Sequence, residues 1–279
     1  MIPDLRAQAL LWRAQGRAAV VVEIAATQGS VPREAGTRML VAADAVLGSI
    51  GGGHLELRAI TTARALLPGG SPLRQHVALG PALGQCCGGA LDLVFTPLAQ
   101  TDPAAWAGPQ PRFDLQLYGA GHVGRAVVRL LAGLPCRVRW IDERDAEFPA
   151  EPLPLHIEKC CVDSVAAEVA HAPPGTFYLV LTHSHDLDLA ITRAILGRGD
   201  FAWFGLIGSR SKRARFEHRL LARGIAAEVL ARMVCPIGLP GINGKQPEVI
   251  AVAVVAQLLL ATASGQTPSL PRLAGLTAG

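Results

Sequence analysis

Two adjacent thiols, Cys86 and Cys87, stand in the glycine-rich segment GQCCGG, directly after Gln85. Backbone N–H groups in a glycine-rich turn can lower the pKa of a thiol, and the resulting thiolate is a nucleophile and a ligand for soft metals. Zinc is disfavoured here because adjacent cysteines lack the usual two-residue spacing and no second pair completes the set. The spacing predicts a functional loop with room for a bulky group.

A second cysteine pair, Cys160 and Cys161, gives an internal comparison. It lies in HIEKCCVDS, which has the pattern of an ordinary strand in which cysteine serves as a small hydrophobic residue. The chain's six cysteines do not form a secreted disulfide framework, because a bond between sequence neighbours is strained and easily reduced. We therefore expect free thiols and assign function to the first pair only.

The segment YGAGHVG carries the pattern G-x-G-x-x-G through Gly119, Gly121 and Gly124, with His122 inside it. It follows a predicted strand and opens a predicted helix, where the glycines permit a tight turn and the free N–H groups of the helix favour phosphate. Asp142 ends the next strand, where an acid commonly accepts ribose hydroxyls. The pattern predicts a phosphate-bearing ligand, and a tight turn retained for packing is the alternative.

Two later segments follow predicted strands and supply further polar groups. THSHDLD contains His183 and His185, and IGSRSKRARF contains Ser209, Arg210 and Lys212. The His-x-His pair is an incomplete metal set, so the alternative is that this segment caps the next helix. The basic segment is either an anion clamp at a helix N-terminus or a solvated helix face. Ligands bind at the carboxyl ends of such strands, so these residues are candidate cofactor contacts.

The elements that must position these residues divide the chain into two parts. Residues 1–98 combine strands such as AAVVVEIAAT with the helix HLELRAITTARALL, and the Pro- and Ala-rich stretch 99–112 predicts a linker. From 113 to 279 strands alternate with helices, which predicts βαβ units. The predicted fold class is α/β, with a small N-terminal mixed α/β domain followed by a Rossmann-like domain with a parallel sheet.

Composition and motif content restrict the class of function. The formal net charge of +4 is too small to indicate a nucleic-acid partner. The longest apolar run, VIAVAVVAQLLLATA, falls short of the roughly 20 residues that a membrane span needs, and the opening segment has the pattern of an amphipathic helix. We therefore expect a cytoplasmic protein without a membrane or nucleic-acid partner. No G-x-S-x-G elbow, Walker A loop or H-E-x-x-H helix supports a hydrolase or a nucleotidase.

Seven segments, in order, resemble the XdhC/CoxI family, the accessory proteins of xanthine dehydrogenase and related molybdenum hydroxylases. They are GSVPREAGTRMLV, GSIGGGHLE, GQCCGG, YGAGHVGRAV, THSHDLDL, IGSRSKRARF and PEVIAVAVVAQLL. The resemblance covers nearly the whole chain and has the family's order, a small N-terminal domain followed by a Rossmann domain. Seven ordered motifs are far more specific than one glycine pattern.

The resemblance implies a molybdenum-cofactor chaperone that need not catalyse a reaction itself. Family members bind molybdopterin, hold it while a NifS-like cysteine desulfurase replaces an oxo ligand with sulfido, and deliver it to the apo molybdenum subunit of xanthine dehydrogenase. A homodimer is also implied. The terminal phosphate of the cofactor suits the glycine loop and the Arg210 and Lys212 cluster, whereas Cys86 and Cys87 suit molybdenum or a transferred sulfur.

Two alternatives stay open at the level of sequence. An NAD(P)-dependent oxidoreductase would use the same glycine loop with Asp142 on the ribose, but it would have no need of Cys86 and Cys87. A structural assembly factor would bind the dehydrogenase without retaining a pterin. The sequence also leaves open whether the cofactor carries an added nucleotide.

Overall fold

The computed structural model describes residues 4–67, 69–80, 88–106 and 110–264. The chain divides into two compact units between residues 108 and 109. The N-terminal unit mixes helices with an antiparallel sheet, and the C-terminal unit is a Rossmann-like domain with a parallel sheet. The predicted fold class is confirmed.

The N-terminal unit is built on a five-stranded antiparallel sheet in the order β3-β2-β1-β5-β4. Its helices are α1 (Leu5–Ala14) and α2 (Gly53–Leu66), and its strands are β1 (Ala19–Gln28), β2 (Arg38–Ala42), β3 (Val46–Gly48), β4 (Leu73–Ala78) and β5 (Ala90–Pro97). Side chains alternate between the two faces of a strand. Val20 and Val22 of β1 share a core cluster with Leu55 of α2, while Val21 shares another with Trp12 of α1. Two cores therefore fix the central strand.

Much of the predicted linker packs onto this unit. Residues 98–106 contain two short 3-10 helices, Leu98–Gln100 and Pro103–Ala105, and Leu98 is buried. The guanidinium of Arg38 lies 5.1 Å from the centre of the Trp106 ring. Aromatic and apolar side chains give this Pro- and Ala-rich stretch contacts that its composition does not reveal.

The C-terminal unit is built on a six-stranded sheet in the order β8-β7-β6-β9-β10-β11, and every neighbouring pair is parallel. The strands are β6 (Asp114–Tyr118), β7 (Arg137–Asp142), β8 (Ile157–Cys161), β9 (Phe177–Val180), β10 (Trp203–Leu206) and β11 (Met233–Val234). The helices are α3 (His122–Leu131), α4 (His185–Arg198), α5 (Arg210–Leu221), α6 (Ala227–Ala231) and α7 (Pro247–Ser264).

Helices cover both faces of this sheet. One core cluster joins the sheet to α3 and α7 through Val127 and Val254, and another joins it to α4 and α5 through Ile191 and Phe216. The first strand, β6, pairs with β7 on one side and with β9 on the other. The strand order therefore reverses beside β6, and the carboxyl edge at such a switch point is where α/β sheets bind ligands. Within the described residues, no helix has both the length and the apolar character that crossing a membrane requires.

Candidate functional site

The three glycines of the β6–α3 loop have different surroundings. Gly119 has a φ of 117°, and a Cβ there would overlap the carbonyl oxygen of Leu181. A Cβ on Gly124 would overlap the carbonyl oxygen of Gly119. In contrast, a Cβ on Gly121 would meet nothing within 4 Å. The first and third glycines are therefore required for packing, whereas the second faces open space beside the exposed His122.

Three helices begin at this carboxyl edge, and they differ in how their first N–H groups are satisfied. Ser184 caps α4 by accepting from the N–H of Leu187 at 3.4 Å, and Ser209 caps α5 by accepting from the N–H of Lys212 at 3.2 Å. The N-cap of α3 is Gly121, which has no side chain for this purpose. The N-terminus of α3 thus has both the open space and the uncapped amides that suit a phosphate.

Asp142, the acid at the end of β7, is buried and fully hydrogen-bonded. Its Oδ2 accepts from the N–H of Ala120 at 2.6 Å and from Nη2 of Arg144 at 2.9 Å. Its Oδ1 accepts from the backbone N–H and Nε of Arg144 at 2.9 and 3.0 Å. Burial opposes ionisation, but these hydrogen bonds outweigh it and hold the pKa of Asp142 below its usual value. The carboxylate that was predicted to accept ribose hydroxyls is engaged by protein donors on both oxygens.

The ion pairs continue from Arg144 to helix α3. Nη1 of Arg144 lies 3.4 Å from Oε1 of Glu147, while Nη1 of Arg125 donates to the carbonyl oxygen and to Oε2 of Glu147, each at 2.9 Å. Arg125 belongs to the first turns of α3. The end of β7 is therefore connected to the helix that follows the glycine loop, and sequence reasoning missed both Arg144 and Glu147.

The two predicted histidines lie at the same edge but do not complete a metal site. Nε2 of His183 lies 3.6 Å from Oε1 of Glu143, which follows β7. His185 is exposed and is the first residue of α4. Among the described residues, no group of three or more His, Cys, Asp or Glu side chains is arranged to hold a metal ion. The helix-capping alternative is seen in this segment, with Ser184 as the cap.

The structure places Lys212 differently from the predicted anion clamp. Its side chain is buried, and Nζ donates to Oδ2 of Asp188 and, at 2.8 Å, to the carbonyl oxygen of Ile207. Oδ1 of Asp188 accepts from the hydroxyl of Thr182 at 2.7 Å. Because a buried ammonium must be paired, Lys212 connects α5 to α4 and does not face solvent. Arg210 is exposed, as a solvent-facing contact requires.

Asp188 is a structural residue that sequence reasoning missed. An acid in the first turn of a helix is usually a favourable surface charge for the helix dipole. No sequence pattern indicates that Asp188 is only 1% exposed or that its partner lies 24 residues away. Such a long-range pair has no local pattern.

The second cysteine pair lies at the end of strand β8. Cys160 is buried, and its Sγ accepts from Nη2 of Arg139 at 3.3 Å. Cys161 is exposed, and desolvation of its thiol by neighbouring atoms, together with nearby carboxylates, raises the pKa of that thiol above the usual value. Three predicted site residues lie outside the described residues. They are Gln85, Cys86 and Cys87, the first cysteine pair and the glutamine before it.

The described residues that flank this double-cysteine segment lie beside another motif. The N–H of Leu79 donates to the carbonyl oxygen of Gly89 at 2.8 Å, which joins the ends of β4 and β5. The N–H of Gly89 donates to the carbonyl oxygen of Ser30 at 3.1 Å, and a Cβ on Gly89 would overlap that oxygen. Gly89 is thus packed directly against the GSVPREAGT loop.

The GSIGGGHLE loop, which leads into helix α2, also contacts the GSVPREAGT loop. A Cβ on Gly51 would lie 2.6 Å from Cγ of Pro32, so the two loops are in close contact. Glu56 of α2 orders the glycine-rich turn, because its Oε2 accepts from the hydroxyl of Ser49 and, at 3.1 Å, from the N–H of Gly52. Parts of three of the seven motifs therefore meet within the N-terminal unit.

Comparison with known proteins agrees with this architecture. The model for the XdhC Rossmann domain matches residues 115–258, and the model for the XdhC and CoxI family matches residues 12–77. Uncharacterized protein YqeB of Escherichia coli (strain K12) is 32% identical over 252 residues, which cover 86% of this chain and 42% of YqeB. The chain thus spans less than half the length of this relative.

A crystal structure described as a xanthine dehydrogenase from Bacillus halodurans has the same fold. It superimposes with a TM-score of 0.73 at 19% identity, covering 95% of this chain and 98% of that one. The Rossmann-domain match alone spans more than half of the 279 residues. The sequence resemblance is confirmed, and the chain belongs to the XdhC and CoxI family.

Proposed function

We propose that this protein is a molybdenum-cofactor carrier in the maturation of xanthine dehydrogenase. It binds molybdopterin, holds it for sulfuration and delivers it to the apo molybdenum subunit of the dehydrogenase. The observation that carries the proposal is the N-terminus of α3, where Gly121 leaves the first amides uncapped and the space beside them open. Family membership supports a role in the maturation of xanthine dehydrogenase. Molybdopterin is the proposed ligand, and the glycine loop is the proposed seat for its phosphate.

The two chemical ends of the cofactor need different protein groups. The phosphate end suits the loop from Gly119 to Gly124, with the exposed Arg210 as a further cationic contact. The metal end needs soft ligands, and on chemical grounds the proposal assigns these to Cys86 and Cys87. When bound, the cofactor supplies a molybdenum centre whose oxo ligand can be exchanged for sulfido. A NifS-like cysteine desulfurase is the proposed sulfur donor, and the proposed carrier is a homodimer.

The alternative of an NAD(P)-dependent oxidoreductase has weaker support. It requires Asp142 to accept the ribose hydroxyls, yet that carboxylate already accepts four hydrogen bonds from Ala120 and Arg144. It also gives the double-cysteine motif no role. If the protein bound no pterin, we would conclude that it is a purely structural assembly factor.

Cofactor retention tests the proposal directly. Purified protein is incubated with released molybdenum cofactor, and retained pterin and molybdenum are quantified after gel filtration. We expect near-stoichiometric retention, weakened by Cys86→Ala and by Cys87→Ala because a thiol contact is lost. Cys136→Ala is the matched control, since this thiol lies just before the amino end of β7, at the sheet edge opposite the proposed site. No retention by the unmodified protein, with tight NAD(P) binding in the same preparation, would favour the oxidoreductase instead.

A further inference from the structure

The acid at the end of β7 is covered by an arginine from its own loop. Asp142 is 4% exposed, and the side chain of Arg144 donates two of the four hydrogen bonds that its carboxylate accepts, through Nε and Nη2. A carboxylate offers about four lone-pair positions, and the backbone N–H groups of Arg144 and Ala120 occupy the other two. A ribose diol can therefore bind Asp142 only after the side chain of Arg144 has released it.

Arg144 is itself held in this position by a second anchor. Its Nη1 lies 3.4 Å from Glu147, which also accepts two hydrogen bonds from Arg125 of α3. A bidentate guanidinium–carboxylate pair that is partly buried is among the stronger hydrogen-bonded arrangements in proteins. Displacing Arg144 would therefore break a network of interactions that extends into the helix following the glycine loop.

The same arginine is poorly placed to attract an additional phosphate. It stands in the segment ERDAE, where Glu143, Asp145 and Glu147 are its acidic neighbours along with Asp142. Asp145 is paired with Lys159 at 2.7 Å, but the segment holds three carboxylates, and Asp142 before it adds a fourth. A ribose 2′-phosphate at this point would meet like charge, which opposes its binding.

We infer that Arg144 is a specificity residue that keeps Asp142 closed to ribose, so that the glycine loop takes a phosphate-bearing ligand without a nucleotide at β7. In terms of the proposed function, on which this part rests, the site selects the pterin monophosphate over a dinucleotide form of the cofactor. NAD, whose ribose would need Asp142, is discriminated against by the same contact.

Isothermal titration with NAD tests whether Arg144 keeps Asp142 from binding a ribose. The protein as it stands should bind NAD weakly, and Arg144→Ala should bind it at least about tenfold more tightly, because hydrogen bonds from ribose hydroxyls to a freed carboxylate have that strength. The gain should disappear in the double variant Arg144→Ala/Asp142→Asn. An equal NAD affinity in the unmodified protein and Arg144→Ala, or a gain that survives in the double variant, would overturn the inference.

Arg137→Ala is the matched control, because Arg137 makes the same bidentate contact with Asp114 at the opposite end of β7. It should leave NAD affinity unchanged. If Arg144→Ala does not fold, Arg144→Met replaces it, since methionine keeps an apolar stem but donates no hydrogen bond to Asp142. Titration with NADP tests the opposite role for Arg144. If the unmodified protein binds NADP tightly and Arg144→Ala abolishes that binding, Arg144 is a receptor for the 2′-phosphate. This result would refute the inference that Arg144 keeps ribose away from Asp142.

Retention of the two cofactor forms separates this inference from the proposed function. The unmodified protein should retain the pterin monophosphate better than the dinucleotide form, and Arg144→Ala should narrow the difference. Equal retention of both forms by the unmodified protein would contradict the inferred preference for the pterin monophosphate. It would still support the proposed function as a cofactor carrier. Retention of neither form would reject the carrier, and the NAD titrations would still decide whether Arg144 closes Asp142.

Discussion

Gly121 and Gly124 belong to one short pattern, yet their surroundings place opposite demands on them. Gly124 is buried against the carbonyl oxygen of Gly119, so any side chain there is an intrusion into the turn. Gly121 has extended backbone angles, with φ of −66° and ψ of −171°, which other residues adopt readily at an N-cap. Its lack of a side chain is therefore not explained by backbone strain or by packing.

Substitutions at these two glycines should separate folding from binding. Gly124→Ala should lower the free energy of unfolding by about 1–3 kcal/mol, because its Cβ overpacks the turn. Gly121→Ser should leave that free energy unchanged or slightly raised, because serine caps α3 as Ser184 and Ser209 cap their helices. The same hydroxyl should compete for the amides and reduce cofactor retention. Urea denaturation and gel-filtration retention measure the two effects, and full retention by Gly121→Ser would argue against a phosphate seat at α3.

At the scale of elements, the carboxyl edge of the parallel sheet depends on contacts between helices that are distant in sequence. The buried pair of Lys212 and Asp188 joins the first turns of α5 and α4, and Asp188 also accepts from the N–H of Thr182 at 3.1 Å. Breaking such a pair leaves one charge buried without a partner, which is more destabilising than replacing both groups. This pair therefore fixes the relative positions of the loops after β9 and β10.

Lys212→Met should lower the free energy of unfolding by about 3–5 kcal/mol, because Asp188 would remain buried without a counter-charge. Asp188→Leu/Lys212→Met should recover a substantial part of that loss, which a double-mutant cycle in urea would quantify. Arg210→Ala, at the exposed start of the same helix, is the control and should stay within about 0.5 kcal/mol of the unmodified protein. Additive losses in the cycle would mean that the two side chains do not act as a pair.

The sequence predicted these elements where the signal is local. The apolar runs around β6, β7 and β9 and the glycine pattern before α3 contain their own signatures, and the structure has strands and a helix at those places. The two-residue strand β11 and the short helix α6 have too few residues to show a period, and they were missed. Helix α5, RSKRARFEHRLL, is so polar that no pattern shows its lysine, Lys212, to be buried.

At the scale of the whole molecule, each of the two units has its own hydrophobic cores. In the C-terminal unit, the six strands are covered by helices on both faces, with Trp140 and Trp203 among its largest fully buried side chains. A unit with its own core and a complete sheet has what a domain needs to fold alone. The sequence predicts two domains from the Pro- and Ala-rich stretch 99–112 and from the regular alternation of strands and helices that follows it.

A fragment of residues 110–264 should therefore fold on its own. We expect a far-ultraviolet circular dichroism spectrum of a mixed α/β protein and one cooperative transition in urea, because every strand of the parallel sheet lies within the fragment. The full chain, measured under the same conditions, is the reference. A fragment that binds a hydrophobic dye and unfolds without a cooperative transition would show that this unit needs the rest of the chain.

The hydrogen bond from Leu79 to Gly89 has a consequence for how this protein can diversify. Six residue pairs set the register of β4 against β5, and this bond continues the pairing up to the glycine that packs on Ser30. The register of β4 against β5 is thus set by described residues that lie outside residues 80–88. Because lengthening a connection between two strands adds little entropic penalty, we expect insertions between residues 80 and 88 to leave this register unchanged. Relatives that differ in length at this point can therefore keep the same pair of strands.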